Sequence, residues 1–148
     1  KSGFHTFDRY TGEHLWTAAV TNGGPTLNSA AYGHDKIYMV SNSAANHPRI
    51  AQSATVALHS YSGEVLWWTP NESSIQGAVA VANGLFYQGF RNGILQALDV
   101  ETGAPLWSYQ LPASRRGGIA VSNGTLYTSC GGQNSPPYTL YAFSIDGG

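Results

Sequence analysis

Side chains able to do chemistry are few in this chain and thinly spread. Arg115 and Arg116 stand together in a link between two apolar runs. Paired guanidinium forks can grip a carboxylate-rich ligand or an acidic partner, and two solvated loop arginines are the plainer account. His5, His14, His34, His47 and His59 fall in different strands and loops, without zinc-type spacing, so no pair of them is expected to ligate a metal. Cys130 is the single cysteine, so it has no internal disulfide partner and is expected as a free, buried thiol. No Ser-His-Asp order, phosphate loop or acidic calcium loop can be identified. Two loops are long for hairpins: 41–53, with His47 and Arg49, and 129–137, with Cys130, Gln133 and Asn134. Asn71 and Asn123 begin Asn-x-Ser/Thr triplets, which are glycan acceptors in an exported protein.

The elements that must position these residues repeat. Residues 7–16, 58–67 and 98–107 each run from an apolar residue through a Thr-Gly or Ser-Gly turn to a Leu-Trp pair. The tryptophans Trp16, Trp67 and Trp107 recur at intervals of about 40 to 50 residues, a period that marks a repeat architecture. A second phrase keeps step: residues 80–87 return as 120–127, each with an Asn-Gly pair between alternating apolar runs, and a worn copy occupies 30–38. Asn-Gly is the strongest short hairpin signal because both central residues need positive φ. Each unit therefore reads as four short antiparallel strands, which is the blade of a β-propeller. No segment carries a capped 3.6-residue apolar stripe, so helix is expected to be nearly absent.

Composition agrees with this. Charged residues make up 10% of the chain, against about 25% in ordinary soluble domains, and turn-forming residues take their place. The net charge of −1 offers no electrostatic footprint for nucleic acid or an anionic membrane. No apolar run approaches the roughly 20 residues a membrane helix needs.

The fold predicted is all-β, a partial β-propeller of four-stranded antiparallel blades. Residues 3–20 supply half a blade, 25–70 and 77–111 a blade each, and 117–145 three strands. Propellers generally need four to eight blades, and an open arc leaves strand edges unpaired. The expectation is a C-terminal piece of a larger ring, whose partners are the remaining blades or another chain that completes it.

The segment 97–107 resembles the tryptophan-docking repeat of pyrroloquinoline-quinone (PQQ) propellers, A-x-D-x-x-T-G-x-x-x-W, at every specified position: Ala97, Asp99, Thr102, Gly103 and Trp107. The first copy keeps Asp8, Thr11, Gly12 and Trp16 but has Thr6 for Ala. The second keeps Ala57, Gly63 and Trp67 but has His59 for Asp and Ser62 for Thr. Residues 140–147 are similar to the closing strand of polyvinyl-alcohol-dehydrogenase-like members of the family. In physical terms the Thr-Gly pair makes the turn, the Asp caps its amides, and the Trp wedges between blades. Those are structural jobs for Trp16, Trp67, Trp107, Gly12, Gly63, Gly103, Asp8 and Asp99.

The resemblance implies two occupations. Some members are exported quinoprotein dehydrogenases holding PQQ and calcium at the ring centre, where an alcohol is oxidised. Others act as docking platforms without a cofactor. The leading expectation is a segment of an exported quinoprotein alcohol-dehydrogenase-like protein, supplying wall and rim, with Arg115 and Arg116 as candidate quinone contacts. The alternative is a non-catalytic scaffold that binds protein or glycan. Either places the chain in an extracellular or periplasmic compartment. Many catalytic relatives carry an adjacent cysteine pair, which this sequence lacks.

Overall fold

The computed structural model describes residues 3–20, 28–42, 53–113, 117–132 and 135–144. Every element among them is a strand, in the order β1 (Phe4–Phe7), β2 (His14–Ala18), β3 (Ala31–Gly33), β4 (Lys36–Ser41), β5 (Ala54–His59), β6 (Val65–Pro70), β7 (Ala80–Ala82), β8 (Leu85–Gly89), β9 (Ile94–Asp99), β10 (Pro105–Gln110), β11 (Ile119–Ser122), β12 (Thr125–Gly132) and β13 (Ser135–Ser144). They form four antiparallel sheets: β1-β2, β3-β4-β5-β6, β7-β8-β9-β10 and β11-β12-β13. Strands adjacent in sequence are adjacent in space, the up-and-down order of propeller blades.

Turn chemistry sets this order. Asn83 and Gly84 have φ of 52° and 76°, and Asn123 and Gly124 have 47° and 72°. Two left-handed residues in a row make a turn whose twist matches its flanking strands. The worn copy makes the same turn with His34 at 53° and Asp35 at 54°, where a side chain stands in the glycine position. At the other connection, Gly12, Gly63 and Gly103 have φ of 73°, 72° and 71°. A bulge follows each of them, and Leu15, Leu66 and Leu106 fall on the step in register. The Leu of each Leu-Trp pair is therefore the displaced residue and faces outward, at 57%, 41% and 56% exposure.

The core lies in the seams between sheets. Phe4, Trp16 and Ala18 meet Met39, Val56 and Leu58 in the first seam. Tyr38, Ala57 and Trp67 meet Val81, Phe86 and Leu98 in the second. Tyr87, Leu95 and Ala97 meet Ile119, Leu126 and Phe143 in the third. Alternate residues of one strand thus serve opposite seams, which is why β5 is buried along most of its length and no residue of β9 is exposed. Cys130 is a free thiol buried in the third seam.

Candidate functional site

One rim of the arc carries the Asn-Gly and Thr-Gly turns. On it, Asp8 Oδ1 accepts the backbone N–H of Tyr10 at 2.8 Å and of Thr11 at 2.7 Å, plus the Thr11 hydroxyl at 3.1 Å. Asp99 Oδ1 does the same for Glu101 N–H, Thr102 N–H and the Thr102 hydroxyl, at 2.9, 2.8 and 2.9 Å. Hydrogen bonds to the ionised form hold both carboxyls below their ordinary range, with the Thr11 and Thr102 amides as the largest influence. In the second copy His59 Nδ1 pairs instead with the Ser62 hydroxyl at 3.1 Å, which in turn accepts the Glu64 N–H at 3.3 Å.

The turns at Gly63 and Gly103 also receive a tryptophan from the blade before them. Trp16 Nε1 donates to the carbonyl of Ser60 at 3.2 Å, and a Cβ added at Gly63 would lie 2.4 Å from its ring. Trp67 Nε1 donates to the carbonyl of Val100 at 3.1 Å, and a Cβ at Gly103 would lie 2.5 Å from that ring. The indole therefore rests on the glycine of the next turn. Tyr38, tilted against the Trp67 ring and fully buried, has its hydroxyl pushed up to about 12, by burial first and then by Glu101 and Asp99. Trp107, which the motif would wedge between blades like Trp67, is 37% exposed and meets Tyr87 at 6.3 Å between ring centroids. Among the described residues its indole N–H has no acceptor. A cavity of about 340 Å³ opens beside it, walled by Tyr87, Tyr109, Leu126 and Phe143.

The opposite rim carries the β4–β5, β8–β9 and β12–β13 loops and the links between blades, where a ligand of a propeller is expected. Here a chain of neutral polar groups spans the second seam. Gln88, fully buried, donates from Nε2 to Gln96 Oε1 at 2.8 Å and to Asn71 Oδ1 at 3.2 Å. The Thr55 hydroxyl lies against Gln88 Oε1 and reaches Asn71 Oδ1 at 3.1 Å. Asn71 Nδ2 donates to Ser53 Oγ at 3.2 Å, and Ser53 Oγ reaches Asn42 Oδ1 at 3.3 Å. Asn42 then brackets Ile75, accepting its N–H at 3.0 Å and donating to its carbonyl at 2.9 Å. No motif signals this network. Its trace in the sequence is a Gln inside an otherwise apolar strand, facing Asn and Thr at strand ends.

The other polar residues singled out in the sequence do not join it. Arg115, Arg116, His47, Arg49, Gln133 and Asn134 lie outside the described residues. His5 and His14 come together on the first sheet. Of the sequon residues, Asn123 is exposed in its turn, whereas Asn71 spends its amide nitrogen on Ser53.

Among the described residues, no group of three or more His, Cys, Asp or Glu side chains is placed to hold a metal. No helix of the described residues is long and apolar enough to cross a membrane. PQQ and calcium would ask for a different set of groups at the loop rim. A carboxylate-rich quinone wants cationic donors, and calcium wants several oxygen ligands that include carboxylates. The network of Asn42, Ser53, Thr55, Asn71, Gln88 and Gln96 is neutral and internally paired, so these residues do not fit that pair of groups.

Comparison with known proteins agrees with the repeat architecture. Residues 2–147 match the model of the family described as outer membrane protein assembly factor BamB. A search of curated proteins gives no match. Among solved structures, BamB from Moraxella catarrhalis is similar at a TM-score of 0.67 and 16% identity, over 85% of this chain and 34% of that one. The quinohemoprotein alcohol dehydrogenase ADHIIG from Pseudomonas putida HK5 is similar at 0.66 and 21% identity, over 79% of this chain and 18% of that one. A europium-containing methanol dehydrogenase is similar at 0.64 and 16% identity, over 86% of this chain and 24% of that one. At these identities the likeness is one of fold. The chain spans about a third or less of the length of each of these structures.

Proposed function

Because the chain belongs to the family described as outer membrane protein assembly factor BamB, we propose that it forms wall and rim of a β-propeller that works as a protein-docking scaffold. The observation that carries this reading is the neutral, internally paired network of Asn42, Ser53, Thr55, Asn71, Gln88 and Gln96 beneath the loop rim. Side chains already paired in a rigid network suit a surface that must hold shape for a partner. They suit a charged cofactor poorly. The remaining blades, from this chain or another, complete the ring, and an extracellular or periplasmic setting belongs to the same proposal.

A second reading is a wall segment of a quinoprotein alcohol dehydrogenase. The full motif match at 97–107 and the likeness to ADHIIG favour it. On that reading Arg115 and Arg116 would meet the carboxylates of PQQ, which when bound would accept the electrons of alcohol oxidation. Calorimetry of the completed ring, this chain together with the blades that close it, with PQQ and calcium, followed by a dye-reduction assay with simple alcohols, separates the two. The scaffold reading expects neither saturable heat nor turnover. Micromolar binding that disappears in Arg115→Ala/Arg116→Ala, together with turnover, would replace it by the dehydrogenase reading.

A further inference from the structure

The first sheet differs from its sisters on one face. His5, on β1, stands where the later repeats have Val56 and Gln96, and His14, on β2, stands where they have Val65 and Pro105. Thr17 faces His5 across the pair, and the shift of register between Thr6 and Phe7 brings His14 onto the same side. The outcome is convergent. His5 Nδ1 lies 2.9 Å and His14 Nε2 lies 2.7 Å from one atom, Thr17 Oγ1. The imidazole centroids are 5.9 Å apart, and Phe7 packs edge-on to His14 at 5.5 Å and beside His5 at 6.5 Å.

We propose that His5 Nδ1 and His14 Nε2 form a two-imidazole site for a borderline divalent transition-metal ion of the Cu²⁺ or Zn²⁺ type. Two ring nitrogens aimed at a single point are most of what chelation needs, since imidazole binds such ions at about 2.0–2.1 Å. The Thr17 hydroxyl occupies the point where the nitrogens meet. It is a neutral oxygen held by two exposed hydrogen bonds, each contributing little in water. Small rotations of the two rings move it from hydrogen-bond partner to neighbour of the ion, and water fills the remaining positions. The donor set selects the metal: two nitrogens and no carboxylate favour copper and zinc over calcium or magnesium. Phe7 limits how far both rings can swing, which keeps the pair convergent before an ion arrives.

Several other accounts of the cluster predict different chemistry. A packing role would place residues like Val56 or Leu58 here, both fully buried in the second sheet. An anion site would need cationic side chains or a row of free amides, and the nitrogens in question instead meet a hydroxyl. The site goes beyond the docking function, and its test does not depend on that function.

Titration calorimetry of the chain with Zn²⁺, and continuous-wave EPR with Cu²⁺, test the site directly. The expected result is one saturable ion per chain and a copper spectrum with superhyperfine coupling to two nitrogens. His5→Gln and His14→Gln should each weaken binding at least tenfold, while a His34→Gln/His47→Gln/His59→Gln variant should bind as the parent chain does. Far-UV circular dichroism confirms that each variant keeps its strand signal; His5 and His14 are exposed, so their replacement leaves the seams intact. Absence of saturable binding overturns the proposal, as does binding unchanged in the His5→Gln/His14→Gln double variant.

Discussion

The seam that β6 makes with the third sheet and the seam that β10 makes with the fourth start from the same motif and end differently. In the former, Trp67 donates to Val100, lies on Gly103 and packs with Tyr38, while Thr69 bonds the Gly103 carbonyl at 2.6 Å. In the latter, Trp107 touches Tyr87 and borders a cavity, and every residue of β10 is exposed. The two tryptophans have the same turn behind them and the same bulge beside them. In front of Trp67 stands the described turn of the next blade, with a glycine to lie on and a carbonyl to bond; the residues that follow β13, in front of Trp107, lie outside the described residues. The same contrast appears on the receiving side: a Cβ at Gly63 or Gly103 would strike an indole, whereas one at Gly12 meets nothing within 4 Å.

The largest way to test the contrast is to remove each indole. Trp67→Ala should cost about 3–4 kcal/mol, near the range for a large buried aromatic. Trp107→Ala should cost about 1 kcal/mol, as for a partly solvated side chain. Chemical denaturation of both variants decides the matter. Equal losses would show that the docking turn adds nothing to the seam.

Replacing the glycines separates seat from conformation. Gly103→Ala meets two penalties, a left-handed backbone and a methyl inside the Trp67 ring contact, and should cost about 3 kcal/mol. Gly12→Ala meets the first penalty alone and should cost about 1 kcal/mol. A Gly12 variant as damaging as Gly103 would mean that the backbone angle explains both positions.

Within the second seam, Gln88→Ala removes the central member of the polar network. It leaves Gln96 Oε1 without the Gln88 donor and Thr55 without one of its acceptors, and should cost about 2 kcal/mol. A matched change on the turn rim, Glu101→Gln, breaks the exposed Lys36–Glu101 pair of 2.7 Å and should cost under about 1 kcal/mol. If the ranking inverts, the loop rim is less rigid than its hydrogen bonds imply.

Much of this was legible in the sequence because the signals are local. Asn83-Gly84 and Asn123-Gly124 fix hairpins by needing positive φ, and Asp99 with Thr102 announces a capped turn from five consecutive residues. Fold class followed from their repetition. The polar network was not legible, since Gln88, Asn71 and Asn42 come from separate strands and links, and each reads as an ordinary turn or strand residue alone. The convergence of His5 and His14 was hidden for another reason. It depends on a one-residue bulge that puts His14 on the Thr17 face, and alternation without that bulge would put them on opposite faces. Arg115 and Arg116, the charged pair that stood out in the sequence, fall outside the described residues and contribute no geometry.

The smallest expected effect concerns the caps, and it sharpens the comparison among the three turns. Asp8 and Asp99 are held below their ordinary range by turn amides that bond the ionised carboxylate. A carboxyl whose folded pKa is depressed contributes stability above its unfolded pKa, near 3.9, and loses it as pH falls through the lower folded value. The parent chain should therefore lose Tm on acidification below about pH 4 through these two turns. Asp8→Asn/Asp99→Asn keeps an oxygen to accept the amides but removes the titration, so its Tm should fall less steeply over the same interval. Both carboxyls are partly exposed to water, so the difference is a change of slope on a small effect. The second turn has His59 where its sisters have Asp, so no capping carboxylate there adds to that slope. His59→Asp should add to it, because a carboxylate there can cap the Tyr61 and Ser62 amides as Asp99 caps Glu101 and Thr102. Scanning calorimetry across pH 6 to 3 on the three proteins measures this directly. Parallel curves for all of them would show that the Asp caps are interchangeable with neutral ones, and that the turns owe their shape to glycine and the docked indole.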